Sequence, residues 1–224
     1  MIKLIKPADI ITLSCALLGF GSIIMTMNGQ HDAALVLILA AVIADAADGA
    51  VARCSGCGVL GANLDSLADV ISFGVAPAVA ALIFLNDFGA LAWVSAGLFL
   101  VCGILRLARF NIAGKKDGFE GMPITSAGFI MALFLLVRDI VPYAKYAFFL
   151  LLVIVSLLMV SSVSYPKLKN PIILAPMGVL LVLDIVVFYL DYQSVVKIAS
   201  LILLVFAFAY FLSPLGRRFY DRDK

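Results

Sequence analysis

A chain of 224 residues that is 64% hydrophobic and only 13% charged is far from a soluble domain, where about a quarter of residues carry charge. That composition excludes a fold surrounded by water and points to an all-α, polytopic integral membrane protein. The net charge of +2 says little by itself, and no nucleic-acid partner is expected.

Eight apolar stretches of spanning length follow in chain order, at about 9–27, 33–53, 62–85, 90–110, 123–141, 143–163, 171–190 and 194–214. The fifth and sixth are parted only by Arg138, Asp139, Pro142 and Lys145. No soluble domain fits in the remainder, so residues 1–224 read as one membrane-embedded helical bundle. The first stretch is too long for a cleavable signal peptide. It is preceded by a basic approach with Lys3 and Lys6, and Pro7 and Asp9 suit a helix start. Gly19 and Gly21 within it read as close helix packing. Pro77 is expected to kink the third span.

With eight spans both ends lie on one side. That side carries Lys3, Lys6, Arg53, Arg106, Arg109, Lys115, Lys116, Lys167, Lys169, Arg217, Arg218, Arg222 and Lys224, against Arg138, Lys145 and Lys197 on the other. Basic residues stay inside, so the termini are expected in the cytoplasm. Cys15 and Cys102 read as packing residues, and Cys54 and Cys57 form a lone CxxC, weak as a metal or redox signal. His31, the one histidine, falls in an outside loop. Asp184 is a lone carboxylate in the seventh span, without an assigned role.

The stretch DAADGAVARCSGCGVLGANLDSLAD, from Asp45 to Asp69, breaks the apolar pattern. An ionised Asp at the centre of a membrane helix costs about 2.5–3.5 kcal/mol on the lenient insertion scale. Asp45 and Asp48 are three apart and Asp65 and Asp69 four apart, so each pair shares a helix face. Ser55, Gly56 and Gly58 lie between them and allow the chain to fold back as a hairpin. Carboxylates converging in this way repel unless a cation holds them. Oxygen ligands without His or Cys suit Mg²⁺ or Mn²⁺, and two such ions roughly 3.5–4 Å apart are a familiar device for phosphoryl transfer.

The pattern DGxxAR, seven residues, then GxxxDxxxD resembles the signature of the CDP-alcohol phosphotransferases. It is carried by Asp48, Gly49, Ala52, Arg53, Gly61, Asp65 and Asp69, with Asp45 as the additional upstream aspartate. The resemblance implies two divalent ions on Asp45, Asp48, Asp65 and Asp69, with Gly49, Ala52, Arg53 and Gly61 against the nucleotide and its phosphates. It also implies Asp69 as general base, release of CMP, and a homodimer among membrane lipids.

The runs LDSLADVISFGVAPA, LRLARFN and FEGMP, then Ala127-Gly128, resemble the phosphatidylserine synthase branch of that family. This implies L-serine as acceptor and CDP-diacylglycerol or CDP-archaeol as donor. Arg106 and Arg109 are three apart, and a guanidinium fork suits a carboxylate or phosphate. Arg106, Arg109 and Asn111 are therefore expected to hold the acceptor or the lipid phosphate. Snorkelling of both arginines to surface phosphates is the plainer alternative. Two rivals remain open: the same chemistry with glycerol phosphate or inositol phosphate, and a cation-coupled transporter using the aspartates.

Overall fold

In the computed structural model the described residues are 6–55, 60–113, 119–165 and 171–220, the side chains at 53–55, 113, 119, 164, 171–174 and 213–220 excepted. Among the described residues, eight long helical segments follow the expected order. They are α1 (Pro7–Met27), α2 (His31–Ser55), α3 (Gly61–Phe84), α4 (Ala90–Ala113), α5 (Ile124–Leu136), α6 (Ala144–Val160), α7 (Pro171–Tyr189) and α8 (Gln193–Tyr220). Over the fully described residues, α1 to α4 and α8 are long and apolar enough to cross a membrane. The all-α membrane bundle expected from composition is the fold observed.

The fifth span is shorter than its hydropathy suggests. Helix α5 has 13 residues and ends at Leu136, so it rises only about 20 Å against a hydrocarbon layer of about 30 Å. Charge ends it. Arg138 Nη1 donates to Asp32 Oδ1 at 2.7 Å and to Leu135 O at 2.9 Å, which draws the chain into turns. A further difference is a two-residue antiparallel ladder between β1 (Phe119–Glu120) and β2 (Ser164–Tyr165), which ties the approach to α5 to the exit from α6.

Helix α1 lies along α2, α4 along α6, and α7 along α8, while α5 runs between α2 and α8. The packing of α1 inverts the habit of soluble helices. Its buried residues are Ala8, Asp9, Thr12, Cys15, Gly19, Ser22 and Thr26, small or polar and, from Asp9 onward, three or four apart. Ile10, Leu13, Leu17, Phe20, Ile24 and Met27 are exposed. In lipid, apolar side chains gain nothing by turning inward, whereas small ones let backbones approach.

The approach is closest at α3. Residues Val70–Val75 form a π-helical turn directly after Asp69. Pro77 has no N–H to donate, so the ladder before it must shift register, and here the expected break takes the form of this wider turn. Glycines accommodate it on two sides. A Cβ on Gly19 would lie 2.6 Å from Ser72 Cα, and one on Gly128 3.0 Å from Phe73 Cα. Ser72 Oγ closes the contact by donating to Cys15 O at 2.8 Å. On the other flank, Ser200 Oγ of α8 donates to Asp184 Oδ2 of α7 at 2.8 Å, so that lone carboxylate bonds a neighbouring helix.

Candidate active site

Asp45 lies fourteen residues below His31 on α2, about 21 Å along the axis, so it sits at the end of the bundle opposite Arg138 and Asp32. Asp65 and Asp69 reach the same end from the first turns of α3. The chain folds back between them, and the three carboxylates of Asp45, Asp48 and Asp65 each bring one oxygen within 4.8 Å of the others. Asp69, a turn further along α3, stands outside that triangle. It is buried, and its Oδ1 has no hydrogen-bond partner among the described residues.

Two of the four acids, Asp48 and Asp45, are held by residues the sequence did not single out. Thr12 Oγ1 lies 2.6 Å from Asp48 Oδ2 and 3.1 Å from Ala8 O. A hydroxyl has one proton, and the nearer, charged acceptor takes it. Thr125, in the first turn of α5, hydrogen-bonds Asp45. Asp9, almost fully buried, accepts the backbone N–H of Lys6 at 2.8 Å. Its Oδ1 lies 3.4 Å from where a Cβ on Gly61 would sit, so the small residue at 61 admits Asp9. Thr12 carried a signal, the three-and-four spacing of small polar residues along α1. Thr125 carried none.

Gly49 and Ala52 continue the Asp48 face of α2. The side chains of Arg53, Cys54 and Cys57 lie outside the described residues, as do Lys115 and Lys116. The expected anion group of α4 is divided. Arg106 is buried, with its guanidinium carbon 5.3 Å from the Phe110 ring centre, and its charge acts on Asp69, Asp45 and Asp65. Arg109 turns the other way, to backbone carbonyls of Glu120, Met159, Val160 and Ser161. Asn111 Nδ2 donates to Ser66 Oγ at 3.0 Å, tying the end of α4 to the residue after Asp65.

This donor set fits a hard divalent cation. Three convergent carboxylates and one orphaned buried carboxyl oxygen, with no sulfur or imidazole among them, are what Mg²⁺ or Mn²⁺ takes. Beside Asp45 an apolar groove of about 510 Å³ opens between α2, α5 and α7, lined by Val42, Ala46, Thr125, Phe129, Leu181 and Val182 among others.

Known proteins resemble the chain over most of its length. A curated archaetidylserine synthase of Methanothermobacter thermautotrophicus is 39% identical over 163 residues, covering 71% of this chain and 69% of the relative. A CDP-diacylglycerol–serine O-phosphatidyltransferase of Methanocaldococcus jannaschii is 38% identical over 185 residues, 82% and 85% of the two chains. The Helicobacter pylori protein of the same name is 34% identical over 171 residues, 72% of each. The family model described as CDP-alcohol phosphatidyltransferase matches residues 6–161, from the start of α1 to the end of α6 with the whole acid hairpin inside it, and the chain belongs to that family.

Proposed function

We propose that the protein transfers the lipid phosphate group of a CDP-linked lipid to the hydroxyl of L-serine and releases CMP. The observation that carries this reading is the convergence of Asp45, Asp48 and Asp65 with a buried Asp69 oxygen beside them that has no partner among the described residues. The names of the relatives, all serine-specific, support the acceptor.

In this reading Asp45, Asp48 and Asp65, with one oxygen of Asp69, hold two divalent ions, Mg²⁺ or Mn²⁺. When bound, these supply positive charge against the diphosphate and the departing CMP phosphate. Gly49 and Ala52 leave room beside the α2 backbone for the nucleotide, and Arg53 pairs with a phosphate. The serine hydroxyl oxygen bonds to the lipid-side phosphorus as the bond from that phosphorus to the bridging oxygen breaks. The bridging oxygen leaves with CMP, and the hydroxyl proton goes to Asp69. A carboxylate oxygen held by a cation is a weak base, so the proton goes to the Asp69 oxygen that would hold no ion, and the position of Asp69 outside the three-oxygen triangle supports this shared role. Arg106 holds the serine carboxylate or the lipid phosphate. One lipid tail lies in the apolar groove next to Asp45.

The site and both termini face the cytoplasm, supported by the placement of thirteen of the sixteen Lys and Arg residues on that side. The assembly is a homodimer, as the resemblance implies. Purified protein in detergent with CDP-lipid, Mn²⁺ or Mg²⁺ and labelled serine is the test. Serine-dependent CMP release with label in lipid is expected. CMP release driven by glycerol phosphate or inositol phosphate but not by serine overturns the acceptor. Absence of CMP release, with cation uptake in sealed vesicles, overturns the enzyme reading.

A further inference from the structure

Arg106 and Arg109 share a face near the end of α4, and sequence alone offers both to an anion. The structure gives them different surroundings. Arg109 Nη1 donates to Val160 O at 3.2 Å, and Nη2 lies 2.5 Å from Glu120 O, 3.1 Å from Ser161 O and 3.3 Å from Met159 O. Val160 ends α6, so three of these acceptors belong to the last turn, where carbonyls lack helical partners and the dipole is negative. The chain before α5 folds over the same point. Gly121 N–H donates to Val163 O at 2.8 Å and Met122 N–H to Leu158 O at 3.1 Å. Gly121 has φ +79°, and a Cβ there would lie 2.3 Å from Met159 O and 2.5 Å from Arg109 Nη2. The clamp occupies the space a side chain needs.

A guanidinium whose Nη groups serve four carbonyls has no matching fork left for a carboxylate or phosphate. Arg106, one turn earlier, is buried against Phe110, and its charge reaches three of the four site acids.

We infer that Arg109 is a positioning residue: it caps α6, fastens the end of α4 to the β1–β2 ladder, and thereby presents Arg106 as the group of the pair that meets the anion. This rests on the transfer reaction proposed above. Gly121 belongs to the same device, since only a residue without a side chain lets the guanidinium reach its carbonyls.

The test is a double-mutant cycle on the purified enzyme, with Arg106→Gln, Arg109→Gln and the double variant, reading kcat and KM separately for serine and for CDP-lipid. Wild-type serine transfer in the same assay checks the reaction itself, so its failure is distinct from a failure of the division of labour. Arg106→Gln is expected to lose at least about 100-fold in kcat/KM, the order seen when one donor to developing charge is removed. Arg109→Gln keeps amide donors for the carbonyls and is expected to lose less. Its loss should fall on the same substrate's KM, or on kcat, as Arg106→Gln. In the double variant the Arg109 change should cost no more than threefold beyond Arg106→Gln, because residues acting through one another are not additive. Gly121→Ala, with both arginines intact, should reproduce the Arg109→Gln pattern. Losses that multiply in the double variant, or an Arg109→Gln effect confined to the other substrate's KM, overturn the inference. If Arg109→Gln is too unstable to purify, Gly121→Ala in the Arg106→Gln background decides between the same two outcomes.

Discussion

The two ends of the bundle treat aspartate in opposite ways. At the end that carries Asp32, acids are matched to bases: Arg138 Nη1 to Asp32 at 2.7 Å, Lys197 Nζ to Asp139 at 2.8 Å, and Lys145 Nζ to Asp87. Arg138 also reaches Asp139 at 3.8 Å, so α2, the α5–α6 turn and α8 are joined in one ionic chain. At the other end, Asp45, Asp48 and Asp65 crowd within 4.8 Å of one another, and Asp69 keeps a buried oxygen without a partner among the described residues. Far-end acids are arranged to hold helices together. Acids of the hairpin are arranged against stability, which is the usual condition of a site kept for a ligand.

The comparison breaks most sharply at the hairpin. Asp65→Asn should reduce serine transfer by at least about 100-fold, since even outer partners of a metal site cost 10–100-fold when removed. The same variant, freed of divalent ions, should melt no lower than the wild type, because one of three mutually repelling carboxylates is gone. Rate and melting temperature measured on one preparation check both halves. A variant that loses stability with its activity would mean that the hairpin acids are structural, like those of the far end.

Thr12→Val sharpens the comparison from outside the signature. Its hydroxyl is the partner of Asp48 at 2.6 Å, and its loss should weaken Mn²⁺ activation by 10–100-fold at little change in the rate at saturating metal. Titration of activity against Mn²⁺ reads this directly.

That residue also marks where the sequence stops being legible. The eight segments and the carboxylate hairpin could be read in advance because hydropathy and fixed spacing are local properties of a chain. Cys15 and Gly19 read as packing residues from sequence, but Thr12 and Ser22, equally local, do not: in lipid the small and polar stripe is the buried one, and a search for apolar faces passes over its polar members. Arg109 was not legible in principle. Its partners are carbonyls of Glu120 and of residues 159–161, and every residue has a carbonyl, so no spacing of side chains announces the bond. The length of α5 was hidden for a related reason, because Asp32, a hundred residues earlier, decides where Arg138 must sit.

Next in size is the packing that sets Asp69. Gly19→Ala would place a methyl carbon 2.5 Å from Ser72 Oγ and 2.6 Å from its Cα, inside the π turn that follows Asp69. Overpacking of this kind costs about 1–3 kcal/mol. Because backbone has to move, the rate should fall as well, whereas Gly97→Ala on α4, where a Cβ meets nothing within 4 Å, should leave both unchanged. Thermal melts and transfer rates of the two variants side by side separate a packing effect from a general intolerance of alanine.

The smallest effect is expected at the far end. Asp139 is more than half exposed, and a hydrogen bond from Lys197, with the nearby Arg138 charge, holds its carboxyl below the usual carboxylate range. A carboxyl whose folded pKa is depressed adds stability above its unfolded value and loses it as pH falls through the folded one. The contribution of this pair is therefore complete at neutral pH and fades only in acid. Exposed pairs are worth about 0.2–1 kcal/mol and are screened by salt. Asp139→Asn should accordingly melt slightly below the wild type at pH 7, merge with it once the pH falls below the depressed folded value, and lose most of its difference at 1 M salt. Its serine transfer should be unchanged at every pH at which both are folded. An Asp139→Asn enzyme with impaired turnover and an unaltered melt would join the two ends of the bundle functionally, and the contrast drawn between them would not stand.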